Sequence, residues 1–272
     1  MSAGLGQSVR RALVSPSGAV MALLVAVAVA APFRWAEPRK VGPDSLAPPS
    51  WAHPFGTTLL GQDVLAQTAH ALRVDIALGV GAVLVSLSVG VLLGGTAGFV
   101  GGRVDRAFSA VADLTQALPV ALILIALAFA IGPGASTILI GFALLGWLPY
   151  ARLTRTEVAR VRNLEYVRAA ELIGLSRVTV LRRHVAPNSF DQVLVYAAAH
   201  VGVAVQTIAA LAFLGVALPD GTLEIGRMIA TGAPRLQTAW WLTVFPGLAL
   251  VVLGVASGRL ARHAGAPLKE YG

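Results

Sequence analysis

The sequence predicts an all-α integral membrane protein with six transmembrane helices, and three observations carry that expectation. Of the 272 residues 56% are apolar and only 12% charged, and the mean hydropathy is +0.75, too apolar for a soluble domain of this length. Five uncharged runs divide the chain: Ala12–Phe33, Ile76–Gly102, Leu114–Ala151, Gln192–Pro219 and Leu236–Gly258. The third of these has 38 residues. As one helix it would measure about 57 Å, nearly twice a hydrocarbon core of about 30 Å. Gly132-Pro133-Gly134 breaks it near its middle, which makes two spans of it and six in all.

Charge gives these spans a direction. The net charge of +8 and pI near 11 could suit nucleic acid. Here, however, the basic residues alternate with long uncharged runs, which assigns them to membrane flanks, so no nucleic-acid partner is expected. With the N-terminus inside, the cytoplasm receives 15 basic residues: Arg10, Arg11, Arg103, Arg106, eight in one loop, Arg259, Arg262 and Lys269. Outside remain six: Arg34, Arg39, Lys40, Arg73, Arg227 and Arg235. This asymmetry predicts both termini on the cytoplasmic side. Trp35, Trp51, Trp147, Tyr150, Trp240 and Trp241 lie near the ends of apolar runs, where interfacial aromatics belong. The chain has no cysteine, which excludes disulfides and thiolate metal sites.

In chain order, the first run follows Arg10-Arg11 and ends near Ala28-Val29-Ala30, a pattern shared by a first span and by a cleavable signal peptide. Residues 32–72 hold six prolines, too many for one long helix, so residues 1–75 read as an N-terminal helix with an external segment. Asp63 and Arg73 there read as part of an interfacial surface helix. Residues 76–258 form a core of five spans, and residues 259–272 a tail. In the second span Gly90, Gly94, Gly98 and Gly102 recur every four residues and leave one helix face bare, a surface for close helix packing in lipid. Val104-Asp105-Arg106 and Asp113 read as a short cytoplasmic turn, with Ala117-Leu118-Pro119 opening the third span. The third and fourth spans carry no charged residue and read as scaffold. The fifth holds His200 and Gln206, about 120° apart around the helix. Each is either a lining of the translocation path or an interhelical hydrogen-bonding group.

Between Ala151 and Asp191 the chain turns polar, with eight arginines (152, 155, 160, 162, 168, 177, 182 and 183) against Glu157, Glu165 and Glu171. Asn163 is a suitable N-cap for a short helix, with Tyr166, Ala169, Ala170 and Ile173 on a shallow apolar face, and Gly174 ends it. Ser176 can cap a second helix that runs through Arg183 and closes at Pro187. A helix pair of this kind outside an apolar body suits docking into a groove on another protein.

The string E-Y-V-R-A-A-E-L-I-G followed by R-H-V-A-P-N resembles the EAA loop of ABC importer permeases, specifically the C-type subunit of dipeptide and oligopeptide transporters. Glu165, Tyr166, Ala169, Ala170, Glu171, Gly174, His184 and Pro187 carry the match. Further matches are Gly56, Thr57, Gly61, Asp63-Val64-Leu65 and Arg73, then Leu211-Ala212-Phe213-Leu214-Gly215, Gly226, Met228, Trp241 and Phe245-Pro246-Gly247, so the resemblance runs from about His53 to Gly258. Thr58, Gln62 and Ile225 depart from it, where the family has Asp, Arg and Trp, and the acidic tail of the family is absent.

The resemblance implies a type I ABC importer permease fold with an uncleaved first helix and a cytoplasmic coupling helix. It also implies a second homologous permease subunit, two ATP-binding subunits that hold ATP and Mg²⁺, and an external solute-binding protein. Nickel and glutathione importers share the loop. The chain itself has no G-x-x-x-x-G-K-[ST] loop, no H-E-x-x-H and no G-x-S-x-G, so it is expected to be a transport subunit that borrows its energy, without a cofactor of its own. A self-contained secondary transporter would show paired ionisable groups at mid-membrane and an inverted repeat, and neither is evident.

Overall fold

The computed structural model describes residues 15–265, so Arg10, Arg11 and Lys269 lie outside the described residues. Its helices are α1 (Pro16–Arg34), α2 (Val64–Val100), α3 (Gly102–Ala117), α4 (Val120–Ile131), α5 (Ala135–Leu145) and α6 (Leu148–Arg162), then α7 (Glu165–Leu172), α8 (Arg177–Val180), α9 (Ala186–Phe213), α10 (Ile225–Gly232) and α11 (Trp241–Gly265). Four segments are long and apolar enough to cross a membrane singly: α1, α2, residues Arg177–Phe213 and residues Trp241–Leu260. The bent pairs α3–α4 and α5–α6 bring the number to six. Many large apolar side chains stay open on the outside of this bundle, Leu122, Phe129 and Ile131 of α4 among them, as lipid-facing positions do.

The Gly-Pro-Gly break falls where the sequence places it. Gly132, at φ +90°, ends α4, and α5 begins at Ala135. The start of the third span differs from the expectation. Residues 102–117 form a 16-residue amphipathic helix in place of a short turn, burying Phe108 and Ala112. Leu118 precedes a proline and takes the extended conformation, so α3 stops there and α4 leaves at a bend of 78°. Alone, α4 has 12 residues, about 18 Å. The fourth span bends by 41° between α5 and α6. Gly146 sits at that bend, where a Cβ would meet the Ser86 Oγ at 2.5 Å, and that hydroxyl donates to the Phe142 carbonyl at 2.9 Å.

Among the described residues the most extensive helix contact runs between α2 and α6. A Cβ on Gly90 would stand 2.8 Å from the Trp147 carbonyl oxygen, one on Gly94 2.1 Å from that of Ala151, and one on Gly98 2.5 Å from that of Arg155. The two backbones therefore touch over about two helical turns. Gly102 does not share this contact: nothing lies within 4 Å of its would-be Cβ, and its φ of +58° serves the turn between α2 and α3.

At the other end of the bundle, the proline-rich segment folds back over the helices. Asp63 caps α2, accepting from the Ala66 N–H at 2.9 Å and standing 2.8 Å from the His53 Nδ1. In place of the charges the resemblance led one to look for, Thr58 and Gln62 form a neutral hydrogen-bonded turn, with Gln62 donating to the Arg39 carbonyl at 2.9 Å. Trp241 donates from its indole N–H to the Thr57 carbonyl at 3.1 Å, and Phe55 stacks on Phe245 at 4.2 Å. Asp75, fully buried, accepts from the Ile225 N–H at 3.0 Å and so caps α10 from a distant helix. Beside it Glu224 is fully buried near Arg227, at 3.4 Å. Burial raises the Glu224 carboxyl above its ordinary range, and Arg227 opposes that shift.

If the α2–α6 contact depends on absent side chains, Gly94→Val should strip the protein of its folded form in detergent, because a methyl cannot fit 2.1 Å from a backbone oxygen. Gly95→Ala, one residue on and with nothing nearer than 3.8 Å, should leave the melting temperature unchanged or raise it. Equal behaviour of the two variants in a thermal-shift measurement would contradict this packing.

Candidate functional site

Residues 162–185 project from the bundle as a small module with its own core. Val158 and Val161 of α6, Val167 and Ala170 of α7, Val180 of α8 and Val185 are buried together, with Phe99 and Leu181 packed against them. Helix α7 therefore has an inner and an outer face. Val167 and Ala170 point in, and Glu165, Tyr166, Ala169, Glu171, Leu172 and Ile173 point out. Leu172 is 88% exposed and Ile173 78%, so the tip of the module is an apolar surface without a cover in this chain.

The caps of the module follow local chemistry, with two departures from expectation. Gly174 has φ +87°, and its N–H reaches the Glu171 carbonyl at 3.0 Å while that of Leu175 reaches Ala170 at 3.3 Å, the paired bonds of a Schellman end. Ser176 caps α8 by accepting from the Thr179 N–H at 3.3 Å. Asn163, expected to cap α7, instead ends α6 and donates its side-chain amide to the Ala159 carbonyl at 2.9 Å. Leu164 occupies the cap position, and the Glu165 charge in the first turn offsets the positive helix end.

Nor does Pro187 close a helix. Residues Leu181–Val185 form one π-helical turn, after which α9 continues with Pro187 in its first turn. The wider turn absorbs the proline ring, and Asn188 donates to the His184 carbonyl at 2.8 Å and Ser189 to that of Val185 at 2.8 Å. His184 also meets the Tyr166 hydroxyl through its carbonyl at 3.4 Å, with the two rings 6.4 Å apart.

Polar bonds of α6, the helix that leads into the module, hold it to α3 and to the end of α2. Arg155 of α6 grips both carboxylate oxygens of Asp105 on α3, one at 2.7 Å, and its guanidinium lies 5.5 Å from the centre of the Phe108 ring. Glu157, 7% exposed, accepts from Arg160 at 2.8 Å. Arg162 donates to the Phe99 carbonyl at the end of α2.

The two polar residues of the fifth span face different helices. The Nδ1 of His200 lies 2.8 Å from the hydroxyl of Tyr150 on α6, and the Tyr196 ring stacks on the imidazole at 5.1 Å. Gln206 is exposed on the far side of α9, with its amide against Gly254 of α11, where a Cβ would come within 1.9 Å. The sequence reads Tyr150 as an interfacial aromatic, and only the fold places it beside His200, 50 residues away; Tyr196, four residues before His200 on α9, is not singled out there.

The membrane bundle thus presents one packed, basic module with a bare apolar tip. Residues 90–266 match the family described as binding-protein-dependent transport system inner membrane component. The chain belongs to this family. As a permease subunit of that kind, it is 33% identical over 232 residues to the dipeptide transport system permease protein of Bacillus subtilis, covering 84% of this chain and 72% of that one. It is 32% identical over 248 residues to the nickel transport system permease protein of Escherichia coli, covering 90% and 87%. In fold the permease is similar to a solved structure titled "Crystal structure of an amino acid ABC transporter with histidines", at a TM-score of 0.56 and 12% identity over 72% of this chain and 91% of that one.

Cutting the Arg155 tie should loosen α3 without unfolding the module. In the Asp105→Asn variant, hydrogen exchange of residues 102–117 is expected to accelerate by about tenfold, roughly the worth of one charged hydrogen bond, while residues 165–180 keep their protection.

Proposed function

We propose that this permease forms half of the translocation path of an ATP-driven importer of dipeptides or oligopeptides. It is coupled to ATP-binding subunits through Glu165 to Gly174. The observation that carries the reading is the apolar tip at Leu172 and Ile173, held on a module with a core of its own. A tip of this kind suits a cleft in a partner, and the packed core behind it passes displacement on to α6 and α9 together. ATP and Mg²⁺ belong to the partner subunits, a second permease supplies the other half of the path, and an external binding protein delivers the solute. The orientation that fits is the one given by charge, with the module and both termini on the cytoplasmic side. ATP binding draws the two ATPases together and rocks the permease halves between inward-facing and outward-facing states.

Peptide is favoured as solute by the several relatives named for dipeptide or oligopeptide transport. Nickel is the second reading, because the relative named for nickel spans 90% of this chain. The substrate itself would be told by uptake assays with labelled dipeptide and with nickel in membrane vesicles. Gly174→Val tests the coupling. A β-branched residue cannot hold φ +87° without strain, so the tip should be misplaced while the bundle stays folded. The variant should insert normally and retain its partners, yet uptake per ATP hydrolysed in proteoliposomes should fall by tenfold or more, taking a misplaced contact to cost about 1.4 kcal/mol. Uptake tightly coupled as in the parent protein would sink the assignment of this segment.

A further inference from the structure

At the end of the bundle away from the basic module lies an open cavity of about 550 Å³. Its walls come from the start of α2, the proline-rich segment, the beginning of α5 and the loop after α9. Arg39 and Arg73 line it together with Val74, Leu78 and Leu218. Among the described residues no carboxylate lies within ion-pair distance of either arginine. Arg39 donates to the carbonyl of Gly221, and Arg73 is exposed with no hydrogen-bond partner. His70 uses its Nε2 on the Trp35 carbonyl at 2.7 Å and adds ring surface only. Among the nearby acids, Asp75 is committed to the Ile225 N–H and Asp220 to Arg227 at 2.6 Å, and Glu37, two residues before Arg39, makes no ion pair with either arginine.

Two guanidinium groups beside an apolar wall, neither neutralised, create a positive potential that the low-dielectric surroundings strengthen. The guanidinium fork matches a carboxylate or phosphate in two-pronged hydrogen bonding. The apolar wall is continuous with the main core, since Val74, Leu78 and Leu218 all pack in the cluster that includes Tyr150. A ligand here would meet both guanidinium charge and hydrocarbon.

We propose that this cavity binds an anionic group, carboxylate or phosphate, carried on a small amphipathic molecule, with Arg39 and Arg73 taking the charge and Val74, Leu78 and Leu218 the apolar portion. That the cavity opens to the outside rests on the orientation proposed above; that it binds an anion does not. The charge could come from the free C-terminus of a peptide solute or from the headgroup of an anionic phospholipid.

Both sources can be tested on the protein purified through a tag on this chain, with all co-purifying subunits, in nanodiscs and without nucleotide. In phosphatidylcholine discs, leucyl-leucine and its C-terminal amide are compared by saturation-transfer NMR. In discs doped with phosphatidylglycerol, retained lipid is counted by native mass spectrometry. The variants are Arg39→Gln with Arg73→Gln, the charge-keeping Arg73→Lys, and Arg103→Gln as a control at the opposite end, each checked for folding by size exclusion. Loss of the free dipeptide's binding by about tenfold in the double glutamine variant, with the amide binding weakly throughout, supports the solute form. Loss of phosphatidylglycerol retention in that variant supports the lipid form. Retention of both probes by the double variant at the parent level, or equal losses in Arg103→Gln, overturns the proposal. Because neither readout needs ATPases or transport, a failure of the importer reading would appear separately, as recovery of the chain without partners.

Discussion

Everything that leaves the membrane on the basic side is positioned by the contact of α2 with α6. At Gly90, Gly94 and Gly98 no side chain separates the two helices, and backbone oxygens of α6 occupy the volume that side chains of α2 would need. In lipid, burying apolar area gives little drive for helix association, so close van der Waals contact along such a row takes its place. Helix α6 then runs unbroken from Leu148 to Arg162, about 22 Å, and carries the module at its far end. Its base is fixed by the bend at Gly146 and by Phe108 and Ala112 packed against Trp147, Leu148 and Ala151.

The module continues that rigidity. A solvated basic loop would expose its apolar residues indifferently, whereas here six valine and alanine side chains form a closed core and only Leu172, Ile173 and their neighbours face out. The Schellman end at Gly174 and the cap at Ser176 fix the joint between α7 and α8 without help from outside. The π turn at residues 181–185 is the one widened stretch between the module and α9. It is where a proline is accommodated and where a change of helix angle would cost least.

The sequence disclosed what local chemistry and periodicity determine. Uncharged runs announce spans because a buried charge in lipid is expensive, Gly132-Pro133-Gly134 announces a break, and Gly174 and Ser176 announce helix ends. Motif matches disclosed the family. Hidden were the features that depend on distant partners. Asn163 is as good a cap as any, but α6 continues far enough to claim it. Pro187 is a helix breaker unless a π turn makes room. Helix α3 reads as a turn because the residues that it buries, Phe108 and Ala112, gain their value only against Trp147 and Ala151. His200 could be recognised as a polar group in a span, yet the Tyr150 hydroxyl beside it belongs to a helix 50 residues away.

The same contacts limit how the chain can move. Helix α9 is held to α10 by Gly226, where a Cβ would lie 1.9 Å from the Ala209 carbonyl oxygen, and α10 is held to α2 by the Asp75 carboxylate on the Ile225 N–H. Helix α9 is also held to α6 by the Tyr150–His200 pair, and α6 to α2 by the glycine row. Helices α2, α6, α9 and α10 therefore form a closed ring of contacts, none of which has slack. Sliding α9 against α2 would break the buried Asp75 bond and leave its carboxylate unpaired, at a cost of about 1–3 kcal/mol or more for a charged group. Packed interfaces of this kind shift between discrete arrangements rather than deform. A displacement of Leu172 and Ile173 is thus carried by the whole ring, and its easiest response is movement of these four helices as one body.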